Sequence, residues 1–214
     1  MDTTKQPEAR WTRRKEARPK EILDAALKVF AAKGFSAARM EDIAREAGVT
    51  KGTIYLYFAS KEAVFQSLVR ESVGGVLDAV SETVRAHRGP VRDLLRFALL
   101  QLAELLVNSD RAVLPKIVIA EAGNFPELAR FYRTEIVDRG LGLMTSLIAR
   151  GIAQDEFRAL PPEHVVRLCI APVLLAAMWR STFAQFDPEP YDYRGLIATH
   201  LDVLFRGLAP ETTP

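Results

Sequence analysis

An all-α fold in two parts is predicted: an N-terminal three-helix head carrying a helix-turn-helix, joined by one long helix to a C-terminal helical bundle. Three observations predict it. Residues 39–61, RMEDIAREAGVTKGTIYLYFASK, place two short helical patterns on either side of a turn at Gly48. Beyond them, apolar residues recur at helical spacing almost to the C-terminus. Breaks at Gly34, Gly89-Pro90, Gly123-Asn124, Gly151, Pro161-Pro162 and Pro188 to Pro190 cut that pattern into separate helices.

Residues 1–18 are polar and lack periodicity, with Arg10, Arg13, Arg14, Lys15 and Arg18 around a lone Trp11. They read as a flexible basic arm, either a solvated terminus or a strand of chain able to enter a minor groove beside a helix-turn-helix. Residues 19–60 form the head. Pro19 suits a first helical turn. Ile22, Leu23, Ala26, Leu27, Val29 and Phe30 then make a stripe that ends at Gly34, and Phe35, Met40, Ile43, Ile54, Phe58 and Phe65 are expected to complete its core.

In the first motif helix Met40, Ile43, Ala44 and Ala47 share a face, while Glu41, Asp42, Arg45 and Glu46 point away. Gly48 supplies the backbone freedom a helix C-terminus needs, and Thr50 is a ready N-cap for the second helix. There Ile54 and Phe58 point inward. The opposite side shows Gly52, Thr53 and Leu56 flanked by Tyr55 and Tyr57, where a surface helix ordinarily shows charges. One reading is a helical hairpin with exposed aromatics. The other is a DNA major-groove face, in which glycine permits close approach, threonine and leucine methyls meet thymine methyls and tyrosine hydroxyls reach phosphates. Lys61 adds a cation near the same backbone.

The segment GFSAARMEDIAREAGVTKGTIYLYFASKEAVF resembles the DNA-binding head of the TetR/AcrR family of bacterial transcriptional regulators. Its Gly-aromatic, Ile-Ala, Ala-Gly-Val, Thr-Ile-Tyr, Tyr-Phe and Ser-Lys-Glu landmarks stand at the family's spacing. The resemblance implies DNA contacts at Thr50, Lys51, Gly52, Thr53, Tyr55, Leu56, Tyr57 and Lys61. One departure is Ala38, where the family often has Ser or Thr. It removes a cap and leaves Arg39 to offer a charged contact.

Residues 61–214 form the helical body. Ser60 can cap a long helix from Lys61 toward Ala86, with Gly74-Gly75 as a weak point where a bend is expected. Val91 to Val107 is apolar on most faces and belongs inside a bundle. Helices from about Asp110 to Ala122 and from Pro126 past Ile148 follow, then two more, from about Glu163 to Phe186, irregular at Pro172, and from about Tyr193 to Leu208. Ile170 to Phe183 is more hydrophobic than one-sided packing needs, either through deep burial or as a subunit interface. A twofold dimer reads two half-sites where one recognition helix reads too few base pairs, and in the resembled family the last two helices form a four-helix bundle across the dimer axis.

Composition narrows the class further. With 49% hydrophobic and 26% charged residues, 214 residues can bury a substantial core. The net charge of +2 is unevenly spread: residues 1–61 hold 13 Lys/Arg against 8 Asp/Glu, or +5, leaving 16 against 19, or −3, for the rest. The basic end is the end with the motif. A single cysteine, Cys169, excludes an internal disulfide framework. The longest uninterrupted apolar run, Cys169 to Trp179, falls short of the about 20 residues of a membrane span, and no apolar signal segment is present. The expected location is the cytoplasm, with no membrane partner.

No catalytic constellation is visible. His87, His164 and His200 lack metal-ligand spacing, and no phosphate loop or nucleophile elbow occurs, so neither enzyme activity nor a cofactor or metal is expected. Phe97, Gln101, Glu104, Glu121, Met178, Trp179 and Phe183 are either plain core or the lining of a small-molecule pocket. An unpaired buried carboxylate at Glu104 or Glu121 would favour a cationic or donor ligand. The combined expectation is a homodimeric, ligand-responsive regulator that binds double-stranded operator DNA, with repression and release by a small-molecule inducer implied by the resemblance. An architectural or protein-regulated DNA-binding protein is the alternative.

Overall fold

The computed structural model describes residues 7–210, with side chains from residue 18 onward. All regular structure among the described residues is helical. The head consists of α1 (Pro7–Ala37), α2 (Met40–Glu46) and α3 (Lys51–Tyr55). Helical backbone therefore reaches back to Pro7 and runs through Pro19, into the stretch that the sequence assigns to a flexible arm. Residues 1–6, and the side chains through residue 17, including Trp11, Arg10, Arg13, Arg14 and Lys15, lie outside the described residues, whereas Arg18 is described and pairs with Glu21 at 3.2 Å.

Gly34 breaks α1 near its end, at φ 74° and ψ 173°, a conformation costly for any residue with a Cβ. The chain turns there, and Phe35 swings into the head core. Phe30, Phe35 and Phe65 form a triangle of rings 5.5–6.0 Å apart. Ile22, Leu23, Ala26, Met40, Ile43, Ile54 and Phe58 are buried around it. The two contacts that Phe65 makes are edge-to-face, a geometry that stabilises beyond the area it buries.

The long helix is α4 (Lys61–Val69) continued by α5 (Gly75–Ala86). Between them Arg70–Gly74 forms a π-helical turn, in which the Gly75 N–H reaches back to the Arg70 carbonyl. The irregularity expected at Gly74-Gly75 thus takes the form of a widened turn. A second π turn, Arg133–Val137, separates α8 (Pro126–Tyr132) from α9 (Asp138–Ala153). The two turns meet. Arg70 lies 3.9 Å from Glu135 and its guanidinium 4.8 Å from the Phe131 ring centre.

The body is completed by α6 (Val91–Val107), α7 (Val113–Glu121), α10 (Pro162–Thr182) and α11 (Tyr193–Leu208). α6 is central, buried along Val91, Leu94, Leu95, Leu99, Ala103 and Leu106, and α9, α10 and α11 pack on it. Glu156 caps it from the α9–α10 loop by accepting the Val91 and Arg92 N–H groups at 2.9 and 3.1 Å.

α10 runs unbroken through Pro172. It buries Val165, Val166, Cys169, Val173 and Ala176 but exposes Leu168, Leu174, Leu175 and Met178. It has 21 residues, and a stretch of 18 of them has a mean hydropathy of 1.4, so by length and composition alone it is apolar enough to cross a membrane. Counting only the uninterrupted run from Cys169 missed this, because an average over a longer stretch tolerates an interruption such as Arg167. Burial pushes the Cys169 thiol up to about 12, so it stays protonated and inert at neutral pH.

Candidate nucleic-acid interface

Local chemistry builds the helix-turn-helix. At the start of α2, Arg39 is the N-cap, with its own N–H donated to the Asp42 carboxylate at 3.3 Å. At its end Gly48 adopts φ 64° and lets the Val49 N–H return to the Ala44 carbonyl at 2.9 Å. Thr50 then caps α3, its hydroxyl accepting the Thr53 N–H at 3.1 Å. The short helix is nailed inward by Ile54, wholly buried, and by Phe58 just beyond it.

What faces out is equally specific. Leu56 is 82% exposed and Tyr55 45%, with Lys51 and Gly52 exposed beside them. Folding does not explain these residues. A Cβ on Gly52 would come no nearer to a neighbour than 3.9 Å, from the Thr50 hydroxyl, so the head has room for alanine where it carries the poorer helix former. A bare backbone beside an exposed leucine and tyrosine fits close approach to base edges and thymine methyls. Thr53 differs from expectation. It is half-buried with its hydroxyl 2.8 Å from that of Thr50, so it belongs to the cap. Tyr57 is half-buried against the core.

The charges of the head are mostly paired. Lys51 lies 2.6 Å from Glu41, and this hydrogen bond holds the Glu41 carboxyl below its ordinary value and the Lys51 ammonium above its own. Asp42 receives Lys33 at 2.9 Å and Arg45 at 2.5 Å, contacts that lower its carboxyl, Lys33 contributing most. Exposed pairs like these are weak, so a phosphate can exchange for the carboxylate on Lys51, Lys33 or Arg45.

Lys61, expected beside a phosphate, is engaged within the head. Its ammonium donates to the carbonyls of Phe35, Ala38 and Ser36 at 2.6, 3.0 and 3.2 Å, and sits 4.5 Å from the Phe35 ring centre. An ammonium has three protons, and all three are engaged. The turn after Gly34 leaves these carbonyls without helical partners, and Lys61 gathers them.

The pocket residues expected from sequence separate in space. Phe97 and Gln101 line an open cleft of about 320 Å³ between α5 and α6, together with Glu71, Ser72, Gly75, Val76, Ala79, Val80, Thr83 and Arg111. Glu104 is instead exposed and held by Asn108 at 2.9 Å, the Tyr193 hydroxyl at 3.1 Å and Arg194 at 3.6 Å. Asn108 contributes most to lowering its carboxyl, so the unpaired charge that would favour a cationic ligand is absent from it. Glu121 accepts hydrogen bonds from Ser36 of the head. Trp179 donates its indole N–H to Asp187 at 2.9 Å and stacks near Phe183 and Tyr191, and Met178 is exposed on the outer face of α10. The cleft residues on α5 were missed because helical spacing does not state which neighbour that helix faces. Among the described residues, no cluster of His, Cys, Asp and Glu is placed to hold a metal ion.

Comparison with known proteins agrees with this geometry. The family described as bacterial regulatory proteins, tetR family, matches residues 22–68. The chain is 27% identical over 196 residues to the fatty acid metabolism regulator protein of Bacillus subtilis (strain 168), an alignment spanning 91% of this chain and 98% of that one. It is 30% identical over 187 residues to the uncharacterized HTH-type transcriptional regulator YfiR of the same organism, over 85% and 87% of the two chains. The solved structure of the fatty acid degradation regulator FadR from Bacillus halodurans superposes with a TM-score of 0.71 at 25% identity, over 88% of this chain and 94% of that one. With a helix-turn-helix head matched by the family over residues 22–68 and relatives matched along nearly their whole length, this chain belongs to the TetR family of bacterial DNA-binding transcriptional regulators.

Proposed function

We propose that the protein is a homodimeric repressor that releases its operator when a small molecule enters the body. The observation that carries the DNA half is the outward face of α3, where Gly52 and an 82% exposed Leu56 stand opposite a wholly buried Ile54. In this reading Lys51, Gly52, Tyr55 and Leu56 enter the major groove, with Thr50, Thr53 and Tyr57 holding the helix that carries them. Arg39, exposed at the start of α2, reaches the backbone. Residues 19–60 act as the reading head and 61–214 as the sensing and pairing body. The protein works in the cytoplasm, beside the chromosome.

Pairing runs through α10 and α11. Leu168 at 67%, Leu174, Leu175 and Met178 on α10, with Val203 on α11, present an apolar surface that no element of the described chain covers. A second copy gives it a matching surface and sets two heads on one face of the DNA.

The effector site is the cleft between α5 and α6. Val76, Ala79, Val80 and Phe97 in its lining suit an apolar body, while Gln101, Thr83 and Arg111 suit a polar or anionic end. Relatives named for fatty acid metabolism and degradation make a long-chain acyl derivative the first compound to try. Binding lowers operator affinity only by favouring the arrangement in which the heads do not match successive grooves.

Footprinting the purified protein on genomic promoter fragments, with and without a long-chain acyl thioester, tests this. Protection of two half-sites related by twofold symmetry is expected, with protection lost on adding the effector. A purified dimer that protects no fragment at low ionic strength would refute the DNA reading. Protection indifferent to every candidate compound would refute the inducer.

A further inference from the structure

The last residue of α7 reaches the head. Glu121 accepts the Ser36 backbone N–H at 3.0 Å, with the Ser36 hydroxyl 3.5 Å from its other oxygen, across 85 residues of sequence. The turn at Gly34 takes Ser36 out of the regular run of α1, and its N–H becomes the kind of orphan donor that a helix start leaves. A carboxylate from another element supplies the missing acceptor. Asn124 donates to Glu121 at 3.2 Å and steadies it. One residue further on, the Phe125 ring meets Phe35 edge-on at 5.1 Å, and Lys61 lies between the two rings, 4.5 and 5.9 Å from their centres.

The other end of α7 adjoins the cleft. Arg111, in the 3-10 turn that leads into α7, is one of the residues lining it. Nine residues of helix, about 13 Å of rise, therefore join the cleft to the Ser36 corner. α7 packs along α1 over this distance.

We infer that Glu121 is a positioning residue that couples the effector cleft to the reading head, with α7 as the rod between them. This rests on the regulator reading and adds a route through α7, distinct from the long helix of α4 and α5 that forms the other wall. Filling the cleft displaces Arg111 and the start of α7, and the rod carries the shift to Glu121. Loss of the Ser36 hydrogen bonds then frees the Gly34 to Arg39 corner, from which α2 and α3 are hung.

Amide hydrogen exchange by mass spectrometry on the full-length protein reads this with neither DNA nor ligand. Residues 33–40 are followed in wild type, Glu121→Ala, Glu121→Gln, Ala79→Trp and the double variant Ala79→Trp/Glu121→Ala. Ala79→Trp places an indole in the cleft as a built-in occupant. Glu121→Ala is expected to speed exchange in 33–40 by about tenfold, the effect of one charge-assisted hydrogen bond of ordinary strength. Glu121→Gln keeps an oxygen for the Ser36 N–H and restores most of the protection, which a packing defect would not. Ala79→Trp alone speeds exchange in 33–40, and the double variant is no faster than Glu121→Ala, because both act on one contact. Wild-type protection in Glu121→Ala would overturn the inference, and so would a double variant showing the sum of two separate effects. Exchange in α9, unchanged throughout, shows that the body stays folded. If wild type binds no promoter fragment the regulator reading fails, whereas these amide measurements judge the coupling alone.

Discussion

Replacing Lys61 by methionine separates a structural lysine from a DNA-contacting one. The wild-type ammonium makes three hydrogen bonds, of which those to Phe35 and Ala38 are part-buried and that to Ser36 is exposed. Water replaces the exposed bond at little cost. The two part-buried bonds, at about 1–1.5 kcal/mol each for a charged donor after solvent exchange, and the ring contact at about 0.5–1 kcal/mol, give a loss of about 3 kcal/mol. Methionine keeps most of the stem and its packing, so the loss reports the charge. Urea denaturation followed by far-ultraviolet circular dichroism, with exchange in 33–40 as the local probe, measures it. The slope of log affinity against log salt for a footprinted operator is measured in parallel under conditions where the variant is folded. A structural lysine lowers stability and leaves the slope unchanged. The reasoning is refuted if the variant unfolds at the wild-type urea concentration while the slope falls by about 0.9 for each protomer, the signature of one lost phosphate contact.

Gly52→Ala is expected to leave the head as stable or more so, by up to about 1 kcal/mol, while weakening operator binding, because the added methyl meets open space in the protein and bases in the groove; thermal melts and fluorescence anisotropy give the two signs. Leu56→Ala should change stability by less than about 0.5 kcal/mol and still cost operator affinity, and equal affinity would remove Leu56 from the interface. Leu175→Glu puts a charge on the exposed face of α10 and is expected to weaken dimerisation at least tenfold, about 1.4 kcal/mol, by sedimentation equilibrium, with operator protection lost in step. Glu41 and Asp42 are held below their ordinary values of 4.5 and 3.8 by Lys51 and Lys33 respectively, so the stability they lend is fully present above about pH 5 and disappears as the pH falls through the lowered values. Head unfolding followed from pH 7 to pH 3 should show an acid loss that Glu41→Gln/Asp42→Asn flattens; the Glu41 pair is exposed and Asp42 is half-buried against exposed cations, so the effect is modest and shrinks with salt.

Much of the head was legible because its determinants are local. A glycine with room for positive φ at 48, a hydroxyl at 50 and apolar residues three and four apart act within one or two helical turns, and the structure places Gly48, Thr50, Ile43 and Ile54 as that pattern requires. Thr53 shows where even local reading stops. Its place on the wheel faces outward, yet a hydroxyl three residues earlier captures its own. The body was legible as helices and not as a site, since amphipathic spacing marks which side of each helix is apolar without stating which neighbour meets it.

What the amino-acid sequence determined by itself is therefore the helical class, the position of the helix-turn-helix, the outward-facing Gly52, Tyr55 and Leu56, and the apolar excess of α10. These follow from periodicity, caps and composition, which act over a few residues. Only the tertiary structure decided the roles of Lys61 and Glu121, one gathering the carbonyls left by the Gly34 turn and the other holding Ser36 from the far side of the chain. Both are charged side chains whose partners lie 23 to 85 residues away. A charge acquires its role from whatever unsatisfied backbone the fold brings within about 3 Å of it, and that distance is set by the packing of α1 against α4 and α7.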